Sequence, residues 1–74
     1  MNYVVLCDSA KQAHTMFYEA LTYLTPVKAN VKTKKIIFDG DVYSFESRAF
    51  FEKYLKTGFR GETMESDHFY SIAD

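Results

Sequence analysis

The side chains that could do covalent or acid–base chemistry in this sequence are few, and their spacing keeps them apart. Cys7 is the only thiol. It ends a short apolar run where a strand would feed the N-terminus of a helix, a position that can lower a thiol pKa. A nucleophilic thiol still needs a base. The nearest histidine in sequence, His14, lies about 10 Å further on at the helical rise of 1.5 Å per residue. Cys7 is therefore expected as a buried structural residue. Cys7, His14 and His68 have no paired metal-ligand spacing, so no metal and no other cofactor is expected. Asp39 and Asp41 flank a turn and imitate an acid–base pair, but carboxylates at a hairpin tip are ordinarily solvated turn residues. No catalytic residue is assigned.

Binding chemistry has more material. Ser9, Ala10 and Lys11 open a helix, where free N–H groups attract anions. Asp8 opposes that with its charge, and Ser9 as a plain N-cap is the better account of this possible anion site at Ser9 and Lys11. Lys28, Lys32, Lys34 and Lys35 put four cations and no acid between Val27 and Phe38. On an extended segment Lys28, Lys32 and Lys34 point the same way. Such a stripe either keeps an edge strand from pairing with strangers or forms a contact surface for an acidic protein or a nucleic acid. Lys53, Lys56 and Arg60 would extend it if their helix lies on the same side. Single-strand readers interleave rings with cations. Tyr43 and Tyr54 would serve, but both also fit core patterns.

The elements that must position these groups follow from periodicity. Tyr3 to Cys7 is a continuous apolar run, read as a strand buried on both faces in a parallel sheet. Ser9 with Gln12 fits a capping box. Ala13, Met16, Phe17, Ala20, Leu21 and Leu24 then form one stripe of helical period, and Pro26 is expected to end the helix. Val27 to Thr33 alternates as an extended segment. The phase slips near Lys34 and Lys35, as at a bulge, and Ile36 to Phe38 resumes as a strand. Asp39 and Gly40 predict a type I′ hairpin to Val42–Phe45. A second helix is expected from about Ser47 to Thr57 with the stripe Phe50, Phe51, Tyr54 and Leu55, a left-handed cap at Gly58 and Phe59 packing back. Phe69, Tyr70, Ile72 and Ala73 fit a last strand. The order β-α-β-β-α-(β) implies an α/β fold: a small mixed sheet with helices packed on it and the first strand parallel to one hairpin strand.

Composition bounds the rest. A chain of 74 residues, 47% hydrophobic and 26% charged with one proline, makes one small globular domain over residues 1–74, burying about 60% of its unfolded surface. With a net charge of -1 it is no wholly basic nucleic-acid coat. One free cysteine suits a reducing compartment, so a cytoplasmic location is expected. No apolar run reaches membrane-span length, and Met1 to Asp8 lacks a leader's basic flank. Six Tyr and seven Phe are too many rings for the centre of so small a fold. Tyr18 and Tyr23, which fall off the first helix's stripe, are the expected exposed pair and mark an interface for a protein partner or a second copy in a homodimer.

Three stretches carry a resemblance: Tyr3 to Ala13 (Tyr-Val-Val-Leu-Cys-Asp-Ser-Ala-Lys-Gln-Ala), Lys35 to Ser47 (Lys-Ile-Ile-Phe-Asp-Gly-Asp-Val-Tyr-Ser-Phe-Glu-Ser), and Gly58-Phe59-Arg60-Gly61. Together they resemble short hypothetical bacteriophage proteins and, more distantly, a central slice of the terminase and helicase-type ATPase core. The sequence has no G-x-x-x-x-G-K-[ST] phosphate loop. Its tail Ser71-Ile72-Ala73-Asp74 ends in one acid where a Walker B site carries two. The resemblance implies the ATPase-like shape without the ATPase.

The expected function is that of a small phage-type accessory protein, non-catalytic, which binds another protein, of host or virus, through Tyr18, Tyr23 and the lysine segment. The alternative is a nucleic-acid-binding module using Lys28 to Lys35. A third reading is an enzyme completed by oligomerisation.

Overall fold

A computed structural model describes residues 1–24 and 28–73. The elements run β1 (Asn2–Cys7), α1 (Ala10–Tyr23), β2 (Lys28–Asn30), β3 (Lys35–Phe38), β4 (Asp41–Ser47), α2 (Arg48–Phe50), a π-helical turn (Phe51–Leu55), β5 (Glu62–Glu65) and α3 (Ser66–Ala73). They form the expected α/β fold around a mixed five-stranded sheet of order β2-β3-β4-β1-β5. β1 is parallel to β4 and to β5, while β2, β3 and β4 form an antiparallel meander.

Alternation on each strand sorts the side chains between two faces. Val5, Cys7, Ile36, Tyr43, Phe45 and Met64 point to one face, where Ala13, Met16, Phe17 and Ala20 of α1 and Phe69 of α3 complete the main core. Val4 and Leu6 point to the other and meet Phe51, with Leu55 and Phe59 at the margin. The unbroken apolar run of β1 is thus explained, because each residue from Val4 to Cys7 is buried.

Local chemistry sets the boundaries. The Ser9 hydroxyl accepts from the Gln12 N–H at 3.0 Å, and the Gln12 side chain accepts from the Asp8 N–H. The predicted cap is there, reaching one residue further back than a simple capping box. α1 ends with Leu24 in extended conformation. Pro26, the expected stop, and Val27 lie outside the described residues. Asp39 and Gly40 have φ of 52° and 82°, the two positive values a type I′ turn demands, and Phe38 pairs with Asp41 across it.

Three expectations are corrected. The segment read as extended through Thr33 is a short strand, Lys28–Asn30, followed by a turn. Asn30 Oδ1 accepts from the Thr33 N–H at 3.2 Å and Lys34 takes φ 54°, so the chain reverses over residues 31–34 and Lys35 pairs back with Asn30. The phase slip was a hairpin with an Asx-type turn, and Lys28, Lys32 and Lys34 share no single strand. The second helix is mostly π-helical. The Lys56 N–H donates to the Phe51 carbonyl at 2.8 Å, and this wider turn departs from the α period. Phe51 is buried and Leu55 half-buried, whereas Phe50 and Tyr54 are left exposed, their rings tilted against each other with centres 5.0 Å apart. Tyr54 is therefore no core residue. Finally, the tail's apolar cluster is helix α3, and the last strand is the acidic Glu62–Glu65 before it. Phe69, Ile72 and Ala73 stand at i, i+3 and i+4, a helical spacing. β5 escaped notice because Met64 is its one buried side chain and its glutamates are what a sheet edge tolerates.

Phe69 is 2% exposed and meets Phe45 and Tyr43 edge-on at 5.0 and 5.5 Å. Phe69→Ala should cost about 3–5 kcal/mol by urea denaturation, a loss no frayed tail would produce. Gly61 crosses tightly over β1. A Cβ there would strike the Asn2 carbonyl oxygen and the Phe59 ring. Gly61→Ala should lose about 1–3 kcal/mol as the backbone is pushed aside, and an unchanged urea midpoint would refute that close approach.

Candidate functional site

Register decides where the lysines face. Lys28 pairs with Ile37, Asn30 with Lys35, Lys35 with Ser44, Ile37 with Val42, and Val4 with Ser44. Lys28, Asn30, Lys35, Ile37, Val42, Ser44 and Glu46 consequently share the face that carries Val4, Leu6 and the π-helical turn. That turn covers the β1 part. Toward β2 the face stays open, with Ile37, Val42 and Ser44 only half-buried.

Lys35 stands at the meeting point of three hollows on this face. One of about 330 Å³ is walled by Val4, Ser44, Glu46, Tyr54, Leu55 and Phe59. A second of about 290 Å³ lies toward the edge between Lys28, Asn30, Thr33, Ile37 and Val42. A third of about 350 Å³ runs between Asn2, Val42, Ser44, Phe59 and Arg60. The second helical segment does lie on the lysine side, as the extension of the cationic surface required. Arg60 joins Lys35 there. Lys56 is instead paired with Glu52 at 3.1 Å, and Lys53 Nζ sits 5.3 Å from the Tyr54 ring centre. Lys32 is exposed on the 31–34 turn, and Lys34 closes that turn beside Ala10, Glu46, Ser47 and Phe50.

Burial pushes the Glu46 carboxyl above its ordinary range, while Lys34 and then Lys35 pull it back. Arg48 forks onto both carboxylate oxygens of Glu65, with Nη1 to Oε2 at 2.9 Å. The hydrogen bond from Arg48 holds Glu65 below the usual carboxylate value. That pair ties the start of α2 to the end of β5.

The other singled-out residues are dispersed. Tyr18 and Tyr23 are both exposed, at 42% and 67%, but five residues turn a helix about 140° beyond one full circle. Tyr18 leans on His14, ring centres 4.7 Å apart. Tyr23 stands near the end of α1, and Tyr70 is exposed on α3, its hydroxyl raised chiefly by burial and further by Glu19, Cys7, Tyr23 and Asp67. Tyr43 is buried and stacks on Tyr3 at 5.3 Å, so it is not a surface ring. The Ser9 hydroxyl oxygen accepts the Gln12 N–H as an ordinary N-cap, and Lys11, two residues on, is exposed. Asp39 and Asp41 occupy the two sides of the tight turn. Among the described residues no group of His, Cys, Asp and Glu is arranged to hold a metal, and no helix is long and apolar enough to cross a membrane.

Phe50 as a surface ring and Glu46 between two lysines were not singled out by sequence, and Tyr54, which the sequence offers as a stacking ring, fits the core stripe there as well. The ring assignment turned on the π register, which no spacing rule signals. The Glu46 position followed from the alternation Tyr43, Phe45 inward and Ser44, Glu46 outward, and was there to be found. No protein-family model, no curated protein and no solved structure matches the chain.

Cys7 is wholly buried, its Sγ 3.5 Å from Met16 Sδ and 3.7 Å from the Val5 carbonyl. Burial first, then Asp8 and Glu46, push the thiol up to about 11. The native state keeps a proton that an unfolded thiol releases near pH 8.5. Stability from this group is therefore complete below about pH 8.5 and is lost as pH rises toward 11. Alkylation by iodoacetamide at pH 8 should be slower than in the urea-unfolded chain by more than about a hundredfold. Equal rates would show that the thiol is accessible.

Proposed function

We propose that this chain is a small non-catalytic accessory protein of the bacteriophage type, working in the host cytoplasm by binding another protein through the outer side of α1 and α3. The observation that carries this reading is the exposure of three tyrosines on this side of the molecule's helices, Tyr18 and Tyr23 on α1 and Tyr70 on α3. Tyr23 is two-thirds exposed and Tyr70 more than one-third. Tyrosine is enriched at interfaces because its ring gives area at little entropic cost and its hydroxyl stays satisfied by water or partner. Both rings stand on helices whose inner faces are locked into the main core, so the patch is rigid before any partner arrives. The thiol, in contrast, is enclosed, and its near neighbours are Met16 and the Val5 carbonyl, not a histidine.

Affinity capture with the tagged chain, with and without nuclease, followed by mass spectrometry, tests this reading. The expected outcome is a defined protein that survives nuclease. Tyr23→Glu should weaken its binding about thirtyfold, as for a central interface tyrosine worth about 2 kcal/mol, with the circular dichroism spectrum unchanged. Tyr18→Glu, about 140° around the helix from Tyr23, should cost less. If the partner is a second copy, light scattering should show a dimer that Tyr23→Glu dissolves. A monomer that retains no protein, or retention equal in both variants, would count against the proposal.

A further inference from the structure

The open face of the sheet, on the opposite side from Tyr23 and Tyr70, presents a different chemistry. We infer that this face binds single-stranded nucleic acid, with phosphates on Lys28, Lys35 and Arg60 and a base stacked against Tyr54. The inference goes beyond the protein-binding reading and does not depend on it.

Charge comes first. The three hollows that meet at Lys35 are lined by three cations, Lys28, Lys35 and Arg60, against one carboxylate, Glu46, which shares the first hollow with Lys35. The chain as a whole is slightly acidic, so this is a local cationic surface and not a general one. The cations are spread along a trough rather than gathered at a point, as a polyanion requires. From β2 to β1 the face crosses three strand spacings of about 4.8 Å, or about 14 Å in all. At the stacked rise of about 3.4 Å per nucleotide that accommodates about four residues of a strand.

Rings come second, and they separate a nucleic acid from an acidic peptide. Tyr54 is 61% exposed at the wall of the first hollow, and Phe59 is shared between the first and third. An exposed ring beside a cationic trough gives an unpaired base a flat surface to stack on, whereas a carboxylate side chain gains nothing from it. A base inside a duplex has its faces already stacked, so the occupant is single-stranded. The π-helical turn is what turns Tyr54 outward, and Lys53 against its ring adds a cation beside the stacking surface.

The test is fluorescence anisotropy with a labelled oligothymidine of about a dozen nucleotides, enough to fill one such site. Binding is expected at about 50 mM salt. The log–log salt slope should be near -2, from three cations at about 0.7 each. Lys35→Ala and Arg60→Ala should each weaken binding and reduce the slope by about 0.7. Tyr54→Ala should weaken binding about tenfold, and Tyr54→Phe should leave it intact because the ring is kept. All three positions are exposed, so the variants should keep the wild-type dichroism spectrum. Tyr23→Glu should bind the oligonucleotide normally, which separates this site from the protein-binding surface. Absence of binding at about 50 mM salt overturns the inference. So does displacement by polyglutamate at equal charge concentration together with indifference to Tyr54→Ala, which would assign the trough to an acidic protein instead.

Discussion

Everything in this molecule is arranged around the burial of one strand on both of its faces. β1 hydrogen-bonds to β4 on one side and β5 on the other, both parallel to it, and Val4 to Cys7 are buried alternately above and below. Parallel neighbours demand crossovers, and an apolar strand demands cover on each face. α1 and α3 supply the cover on one side. The short α2 and its π-helical turn supply it on the other, and they are too small to finish the task. The uneven cover leaves half of the second face open to water, with Lys35 at its centre.

The two faces therefore differ in kind. The side with α1 and α3 is a closed layer whose outer surface carries tyrosines. The other side is a half-roofed sheet with cations along it and two rings at its wall. β4 puts its polar residues, Ser44 and Glu46, on the incomplete face and its aromatic ones, Tyr43 and Phe45, in the core. One alternating strand thus divides structural from surface duties by residue parity alone.

Much of this was legible in the sequence. The β1 run, the Ser9 cap, the α1 stripe and the Asp39–Gly40 turn each rest on local chemistry that tertiary contacts do not overrule. The surface exposure of Tyr18 and Tyr23 followed from the same stripe. What was not legible depended on non-local choices. β5 has one buried side chain and becomes a strand because β1 offers it an open edge. The π register moves Phe50 and Tyr54 out of an apparently apolar stripe. Lys34 in a left-handed turn breaks a regular alternation that any pattern reading would continue. Of the candidate surface, the lysines were visible by composition, but their convergence with Arg60 and Tyr54 on one face needed the strand register.

The placement of β1 also governs how the chain can assemble. Its partners lie far along the polypeptide, Val4 meeting Ser44 and then Thr63, so long loops must close before the most apolar strand gains a single neighbour. The β2-β3-β4 meander has no such delay and can form from nearby residues alone. Until the two halves meet, the run Val-Val-Leu-Cys stays without ladder partners on either edge, and a nascent or stressed molecule offers it to any passing strand.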